Sequence, residues 1–554
     1  MRIALVSTYT HPIALGLRYV SSYLKAHGQN VEMFFMRSKR DTAEADFSTA
    51  LLAEFVERLR DADLIGMSLM TNTFYRASVL TQTIRAAGIK APIIWGGTHP
   101  TVAPDESLEI ADMICIGEGE QAMLELAESL EAGRDPTTIG GLSFRVDGRV
   151  IRNEVAPLHK ELDEYPFPDY DLDTHWVKVK DHFEPAAPGN LRGALHRYRI
   201  ESTRGCPYPC TFCNNAALLR VYKGKGSWVR KRSNENVIRE IEQARARFPT
   251  IECVDIVDDL FFVRSETDIE DFVRHYKERV NLPIDLDAFP NTITRTKVNL
   301  LARLPISVIS MGIQSGSQDT LKNIYQRPTP TEKIVEGINA LADNRIPAEY
   351  HYIVNNPFEP DRNRIETLRF AASYHRGPAV VRIFPLQFYP GTPLYDRARR
   401  EGLIGQRHDS AYQRTFANTK TYVGEAGYLE TEYLGVWLRV VLYLRSLGAS
   451  PQAAHRLIDV VTDPKVRRFL DRKWFAPVAY AIYRVGRFTC KKLIYQPFIR
   501  PFRYLRRKPR YQDLHPEDEV TLPRNTMPNA LPARPDRAAL RRRKYRSVHE
   551  VHEA

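Results

Sequence analysis

Short apolar runs alternate with amphipathic stretches over the first 140 residues. Ile3 to Val6 precedes Leu15 to Ala26, Val31 to Phe35 precedes Ala50 to Arg60, and Leu64 to Leu69 precedes Tyr75 to Ala87. Ile93 to Trp95 then precedes Pro104 to Ile110, and Met113 to Ile116 precedes Gln121 to Glu131. Runs of this length suit strands buried on both faces, and helical-period stretches between them suit crossovers. Five such units in series predict an open parallel sheet covered by helices on both faces, a doubly wound α/β domain. Ligands of such sheets sit at the carboxyl ends of the strands, near a topological switch point. The loops there are Thr8-Tyr9-Thr10-His11-Pro12, Ser68-Leu69-Met70-Thr71-Asn72, Gly96-Gly97-Thr98-His99-Pro100-Thr101 and Gly117-Glu118-Gly119-Glu120. Their paired glycines suit close approach of backbone to a bulky ligand, and equally suit tight turns.

Asp147-Gly148 between alternating apolar residues predicts a hairpin. Pro157 to Gly193, rich in Pro, Asp and aromatics, reads as a connection, so residues 141–195 are expected to be hairpin and linker. From Tyr198 the alternation resumes: helix Ser233 to Phe248, strand Cys253 to Val257, helix Asp268 to Glu278, strand Ile284 to Ala288 and strand Val308 to Gly312. Helix Thr331 to Asn344, strand Ala348 to Val354, helix Arg362 to Tyr374 and strand Val380 to Phe384 complete it. About six parallel strands with crossover helices fit a partial (β/α)6 barrel over residues 196–405, with chemistry at the C-terminal ends of its strands. Glu430 to Leu447 is apolar on a helical period, which predicts a helix capping the barrel opening within a helical region at 406–510.

Length changes the picture little, since 554 residues suit about three domains. Six cysteines without a regular framework argue for a reducing interior, and no apolar signal core opens the chain, so a cytoplasmic protein is expected. The net charge of +12 is concentrated late. Arg484 to Arg510 carries ten basic residues, no acid, and the interleaved aromatics Phe488, Tyr495, Phe498, Phe502 and Tyr504. Such a stretch suits an anionic membrane surface, at about 1 kcal/mol per basic residue, and equally a solvated tail or RNA phosphates. No nucleic-acid module accompanies it, so nucleic acid is not an expected partner. Trp474 to Tyr483 is too short to span a bilayer. Residues 511–554, rich in Pro, Arg and Asn, are expected to be largely disordered.

The sharpest chemical signal is Cys206-Pro-Tyr-Pro-Cys210-Thr-Phe-Cys213, three of the six cysteines in one loop. Gly205, Pro207 and Pro209 disfavour regular structure there. Four cysteines usually hold an iron-sulfur cluster, so three would leave one iron open to a small molecule. Spacing alone also admits half a zinc site or three structural thiols.

With its surroundings the loop resembles the radical S-adenosylmethionine superfamily. The resemblance implies that Cys206, Cys210 and Cys213 hold a 4Fe-4S cluster whose free iron takes the amino and carboxylate groups of S-adenosylmethionine. It further implies S-adenosylmethionine contacts from Phe212, from Asp258 and Asp259, from Gln314 and Ser315 (where the family often has Glu-Ser), and from Arg327. Asn356 replaces the family's usual glycine before proline, while Pro390-Gly391-Thr392-Pro393-Leu394 keeps its closing motif. The first 140 residues resemble the cobalamin-binding domain that precedes many such enzymes, carried by Ser68-Leu69-Met70 and the two glycine loops. That likeness implies cobalamin contacts from Thr10, Ser68, Met70, Thr71, Gly96, Gly97, His99, Gly117, Glu118 and Gly119. The D-x-H-x-x-G motif that supplies a histidine ligand to cobalt in other cobalamin folds is absent, which is compatible with cobalamin bound without a histidine ligand and leaves room for a degenerate domain that no longer binds it.

The combined resemblance covers residues 1 to about 405. It implies an enzyme using a 4Fe-4S cluster, S-adenosylmethionine and cobalamin to methylate an unactivated carbon of a natural-product or lipid-like small molecule. The alternatives are a radical cyclase, rearrangement or other carbon-skeleton reaction on the same domain pair, or a non-catalytic cobalamin-binding protein. An external electron donor such as flavodoxin or ferredoxin is implied, and residues 484–510 suggest peripheral contact with the inner membrane face. No acid or base residue is assigned, because hydrogen abstraction by a radical needs none.

Overall fold

The structure, a computed structural model, describes residues 1–38, 47–191, 195–376, 379–405, 411–412, 433–446 and 448–470. The expectations for residues 471–554, the basic-aromatic stretch included, lie outside the described residues. Among the described residues no helix is long and apolar enough to cross a membrane.

The N-terminal sheet has nine strands in the order β7-β6-β5-β4-β3-β1-β2-β8-β9. They are β1 (Arg2–Ser7), β2 (Asn30–Phe35), β3 (Leu64–Ser68), β4 (Ile93–Gly96), β5 (Met113–Cys115), β6 (Leu142–Val146), β7 (Arg149–Arg152), β8 (His175–Val179) and β9 (His182–Pro185). The five strands expected from the hydrophobic runs form the parallel centre, with β1 between β2 and β3. The order therefore reverses at β1 and β3, which makes their carboxyl ends the crevice. Alternate residues serve opposite faces: Ile3 and Leu5 join one core with Leu17, Leu24 and Met123, while Ala4 and Val6 join the other with Leu51, Phe55 and Leu80.

Residues 141–195 do more than connect. The hairpin β6–β7 turns at Asp147 and Gly148, both with positive φ, and pairs antiparallel with β5. The linker supplies β8, parallel to β2 from Met33↔His175 to Phe35↔Val177, and β9 beyond it. Both outer edges of the parallel sheet are thereby paired, which satisfies backbone groups that would otherwise be exposed.

The second sheet is parallel throughout, in the sequential order β10-β13-β14-β15-β16-β17 of a partial barrel. Its strands are β10 (Arg197–Ile200), β13 (Cys253–Ile256), β14 (Ile284–Ala288), β15 (Ile306–Gln314), β16 (Ala348–Val354) and β17 (Val380–Pro385). A two-stranded antiparallel ribbon, β11 (Thr203–Arg204) with β12 (Arg230–Lys231), leaves the end of β10 and leads into the cysteine loop.

The C-terminal helix Tyr433–Ser446 is present, but it does not cap the barrel opening. Its buried Leu434, Leu438, Val441 and Leu442 pack on the barrel's outer helix Asp361–Tyr374. Arg445 donates to the His375 carbonyl at 2.9 Å, and helix Pro451–Thr462 adds Ser373–His455 at 2.9 Å and Arg369–Asp459 at 2.8 Å. The apolar stripe thus found a helix flank, the same partner chemistry as the rim but on the outside of the barrel.

Candidate functional site

A cavity of about 320 Å³ opens at the carboxyl ends of β1, β3, β4 and β5. Leu5, Gly66, Ile94, Cys115 and Met123 line its inner part, and Ser68, Gly96, Gly97, Gly117 and Gly119 its rim. Glycine makes the space. At Gly66 a Cβ would sit 2.8 Å from Leu5 Cδ2, and at Gly97, with φ +95°, 2.8 Å from the Leu69 carbonyl oxygen. Burial pushes the Cys115 thiol up to about 12, so it is a neutral, apolar wall. Above, Tyr9 Oη and Ser68 Oγ are 3.2 Å apart, and the Gly117 amide donates to Thr101 Oγ1 at 3.0 Å. A narrow slot with an apolar glycine floor and hydroxyls at its mouth fits the nucleotide tail of cobalamin.

Of the ten residues implied for cobalamin, Ser68, Gly96, Gly97, Gly117, Glu118 and Gly119 line this cavity; Thr10, Met70, Thr71 and His99 do not. His99 turns to the other face of the sheet. It is fully buried, with Nδ1 3.2 Å from Thr71 Oγ1 and its ring against Phe74 at 4.9 Å and Tyr412 at 5.7 Å. Glu118 reaches the cavity wall, but its carboxylate is taken by Arg230 and Arg204. Burial pushes that carboxyl up, and the two guanidiniums outweigh it and hold it below the usual range.

The opposite wall belongs to the barrel: Glu201, Arg204, Gly205, Tyr222, Trp228 and Asp259. Gly205 adjoins Cys206, so the cavity runs to the cysteine loop. That loop is anchored at each step. Trp228 Nε1 donates to the Cys206 carbonyl at 2.9 Å, the Thr211 amide to the Tyr325 carbonyl at 2.9 Å, and Thr211 Oγ1 to the Ile324 carbonyl at 2.7 Å. Tyr208 stacks on Phe289 at 3.9 Å, and Arg327 lies over the same Phe289 ring at 3.7 Å while its Nη1 is 3.6 Å from Cys210 Sγ.

Burial pushes the Cys206 thiol up to about 11 and that of Cys213 to about 12, partly offset by backbone amides of Tyr208 and Asn215 that point at the sulfurs. Thiols so placed become thiolates once a cationic iron core is present, and amides aimed at sulfur are a means of tuning a cluster. Among the described residues no three His, Cys, Asp or Glu side chains converge on a single ion. A cluster does not require that, since each cysteine would bind a different iron, and three sulfurs in one loop, two of them met by backbone amides, have the donor chemistry that such a group takes.

The residues implied for S-adenosylmethionine divide in two. Phe212 packs edge-on against Tyr325 at 5.0 Å, Asp259 accepts from Asn215 Nδ2 at 2.7 Å and from the Gly205 amide at 3.3 Å, and both flank the loop. Gln314, with φ +69°, and Arg327 converge over Gly312, whose carbonyl accepts from Arg327 Nη2 at 2.7 Å. The Arg327 Nε is buried without a hydrogen-bond partner, which suits a carboxylate ligand. Asp258 and Ser315 lie behind this group. Asp258 accepts from the Ser202 and Thr203 amides at 2.5 and 2.9 Å, so its carboxylate secures the backbone after β10. Ser315 Oγ is 2.9 Å from Thr367 Oγ1 and 3.3 Å from Glu359, deep in the fold. Asn356, the departure from glycine, donates to Tyr325 Oη at 3.2 Å and so supports the residue that anchors Thr211 and Phe212.

The sequence reading missed Tyr9, Thr101, Tyr222 and Trp228 in the cavity wall. Tyr9 and Thr101 lie in the strand-end loops where a ligand was expected, while Tyr222 had only the glycine opposite it: a Cβ at Gly117 would lie 1.9 Å from its hydroxyl.

The B12 binding domain family matches residues 1–127 and the Radical SAM superfamily residues 200–371. An uncharacterized methyltransferase of Pyrococcus horikoshii is 24% identical over 393 residues, 70% of this chain and 79% of that protein. The anaerobic magnesium-protoporphyrin IX monomethyl ester cyclase of Rubrivivax gelatinosus is 25% identical over 366 residues, 64% of this chain and 61% of that protein. In fold, the chain is similar to the cobalamin-dependent S-adenosylmethionine radical enzyme OxsB, solved with aqua-cobalamin and S-adenosylmethionine. The TM-score is 0.63 at 16% identity, covering 90% of this chain and 81% of that one.

Proposed function

Because the chain belongs to the cobalamin-binding radical S-adenosylmethionine enzymes, we propose that it methylates an unactivated carbon of a small molecule. One observation carries the reading: a single cavity is bounded by the glycine loops of the first domain and by Gly205 and Asp259 beside the cysteine loop of the second. When bound, the cluster with S-adenosylmethionine supplies hydrogen abstraction and cobalamin a transferable methyl group. The protein's part is to hold and shield. Cys206, Cys210 and Cys213 would ligate the cluster, and Arg327 with Gln314 would orient S-adenosylmethionine beside it. Tyr208, Phe289 and Leu260 pack around Cys210 and keep water from the sulfurs.

The barrel interior holds paired charges. Side chains alternate along its strands: Tyr198 and Tyr350 face outward, to Glu240 and His375, and their neighbours face inward. There Arg199 pairs with Asp255 at 3.3 Å, Arg197 with Asp255 and Asp285, and Glu349 with His351 at 3.0 Å and Arg382 at 2.5 Å. A lipid-like substrate and peripheral membrane contact rest on the composition of residues 484–510, and unchanged liposome binding after truncation at residue 483 would remove both. The cyclase among the relatives favours cyclisation as the second reading.

The test is anaerobic reconstitution with iron, sulfide and cobalamin, followed by reduction, S-adenosylmethionine and candidate substrates. We expect 5′-deoxyadenosine and S-adenosylhomocysteine with a product one CH₂ heavier, all lost in Cys213→Ala. A product without added mass would replace methylation by cyclisation or rearrangement.

A further inference from the structure

The Gly117-Glu118-Gly119-Glu120 turn lies on one domain, and its carboxylates are spent on the other. Glu118 receives both Nη atoms of Arg230, one at 3.1 Å, and lies 3.3 Å from Arg204 Nη1. Glu120 accepts from Arg204 Nη2 at 2.8 Å, and the Arg204 Nε reaches Glu201 at 2.8 Å. Arg230 and Glu120 are 2% and 4% exposed, so these are buried charges held in one arrangement rather than a surface pair. Arg204 and Arg230 face each other across the β11–β12 ribbon, and Arg204 is two residues from Cys206. A second, uncharged tie runs parallel. The Glu118 amide donates to Tyr222 Oη at 2.5 Å, Tyr222 stacks on Trp228 at 5.6 Å, and Trp228 Nε1 holds the Cys206 carbonyl.

We propose that Glu118 is a positioning residue: with Arg230 and Arg204 it locks the cobalamin slot to the cysteine ribbon and so sets the separation and orientation of cobalamin and cluster. It is not a cobalamin ligand. The inference rests on the proposed function for the presence of both groups, and its geometry stands without them. The carboxylate closes a bidentate pair across the domain boundary, and the backbone of the same residue holds the aromatic pair that supports Cys206.

The test compares wild type, Glu118→Gln, Arg230→Gln and the double variant, with Arg230→Lys as a milder change should a glutamine variant fail to fold. In cofactor-free protein, amide exchange at residues 203–206 is expected to rise in each variant; unchanged exchange overturns the lock. In reconstituted protein, each variant is expected to retain iron and to bind cobalamin within about twofold of wild type, while electron paramagnetic resonance loses the magnetic interaction between cob(II)alamin and the reduced cluster. Methylated product per 5′-deoxyadenosine is expected to fall at least tenfold, and the double variant to be no worse than either single one, as for residues acting as one unit. Loss of cobalamin from Glu118→Gln, with exchange unchanged, would make Glu118 a ligand and overturn the proposal. A wild type that binds both groups without magnetic interaction would instead overturn the proposed function, leaving the exchange experiment to judge the lock.

Discussion

The two walls of the cavity are built in opposite ways. On the N-terminal side the wall is made of omissions: Gly66, Gly96, Gly97 and Gly119 leave open what side chains would fill. On the barrel side it is made of placements: Arg204 among three carboxylates, Asp259 on the Gly205 amide and the Asn215 side chain, Trp228 on the Cys206 carbonyl. The first wall gains function from space, and the second from groups that cannot move. A large planar cofactor needs the former. A cluster and a small zwitterion need the latter, because misplacement by an ångström is costly where geometry sets the chemistry.

Adding atoms should therefore break the first wall and leave the second intact. Gly119 has an ordinary negative φ, and a Cβ there meets Val20, Cys115 and Met123 at 3.5 to 3.9 Å, so Gly119→Val intrudes on the slot without backbone strain. We expect cobalamin affinity to fall at least tenfold by equilibrium dialysis, with iron content at the wild-type level. Equal loss of both would mean that the walls are not separable. A smaller effect sharpens the contrast, since placed charges titrate and glycines do not. Asp169, on the linker, is pushed up by burial, but hydrogen bonds and charge from His175, Ser21 and Lys25 outweigh this and bring it well below the usual carboxylate range. It ties down helix Leu15–Ala26, which supplies Leu17 and Val20 to the cavity. A depressed folded value means stability that is present above the unfolded value of about 3.9 and lost as pH falls through the folded one. Asp169→Asn should cost roughly 2 kcal/mol at pH 7. Its denaturation midpoint should converge on that of wild type as pH falls below about 4, and a gap constant with pH would contradict this.

The omissions were largely legible in the sequence and the placements only partly. Paired glycines at strand ends pointed to the loops that line the cavity, and C-x3-C-x2-C to a loop of three thiols beside it, because both are local patterns in the chain. Asp258 and Ser315 were legible as motif members but not in their role: one pairs with amides 55 and 56 residues away, the other with residues 44 and 52 away. Tyr222, Trp228 and Arg230 carried no motif, and their partners lie in the other domain or across a loop. The same limit hid the edge strands β8 and β9. Their residues look like a linker until an unpaired strand is beside them. Helix Tyr433–Ser446 had the right apolar stripe, and nothing in a stripe says which surface receives it.

The central claim is that one chain holds cobalamin and an open-sited cluster facing one cavity. The most direct measurement is electron paramagnetic resonance of the anaerobically reconstituted, reduced protein, with iron, sulfide and cobalamin counted per chain, before and after S-adenosylmethionine is added. We predict one four-iron cluster and one cobalamin per chain, a cluster signal that shifts on addition of S-adenosylmethionine because its free iron is taken, and interaction of that cluster with cob(II)alamin. A cluster signal indifferent to S-adenosylmethionine, or cobalamin bound to a chain that assembles no cluster, would contradict the account.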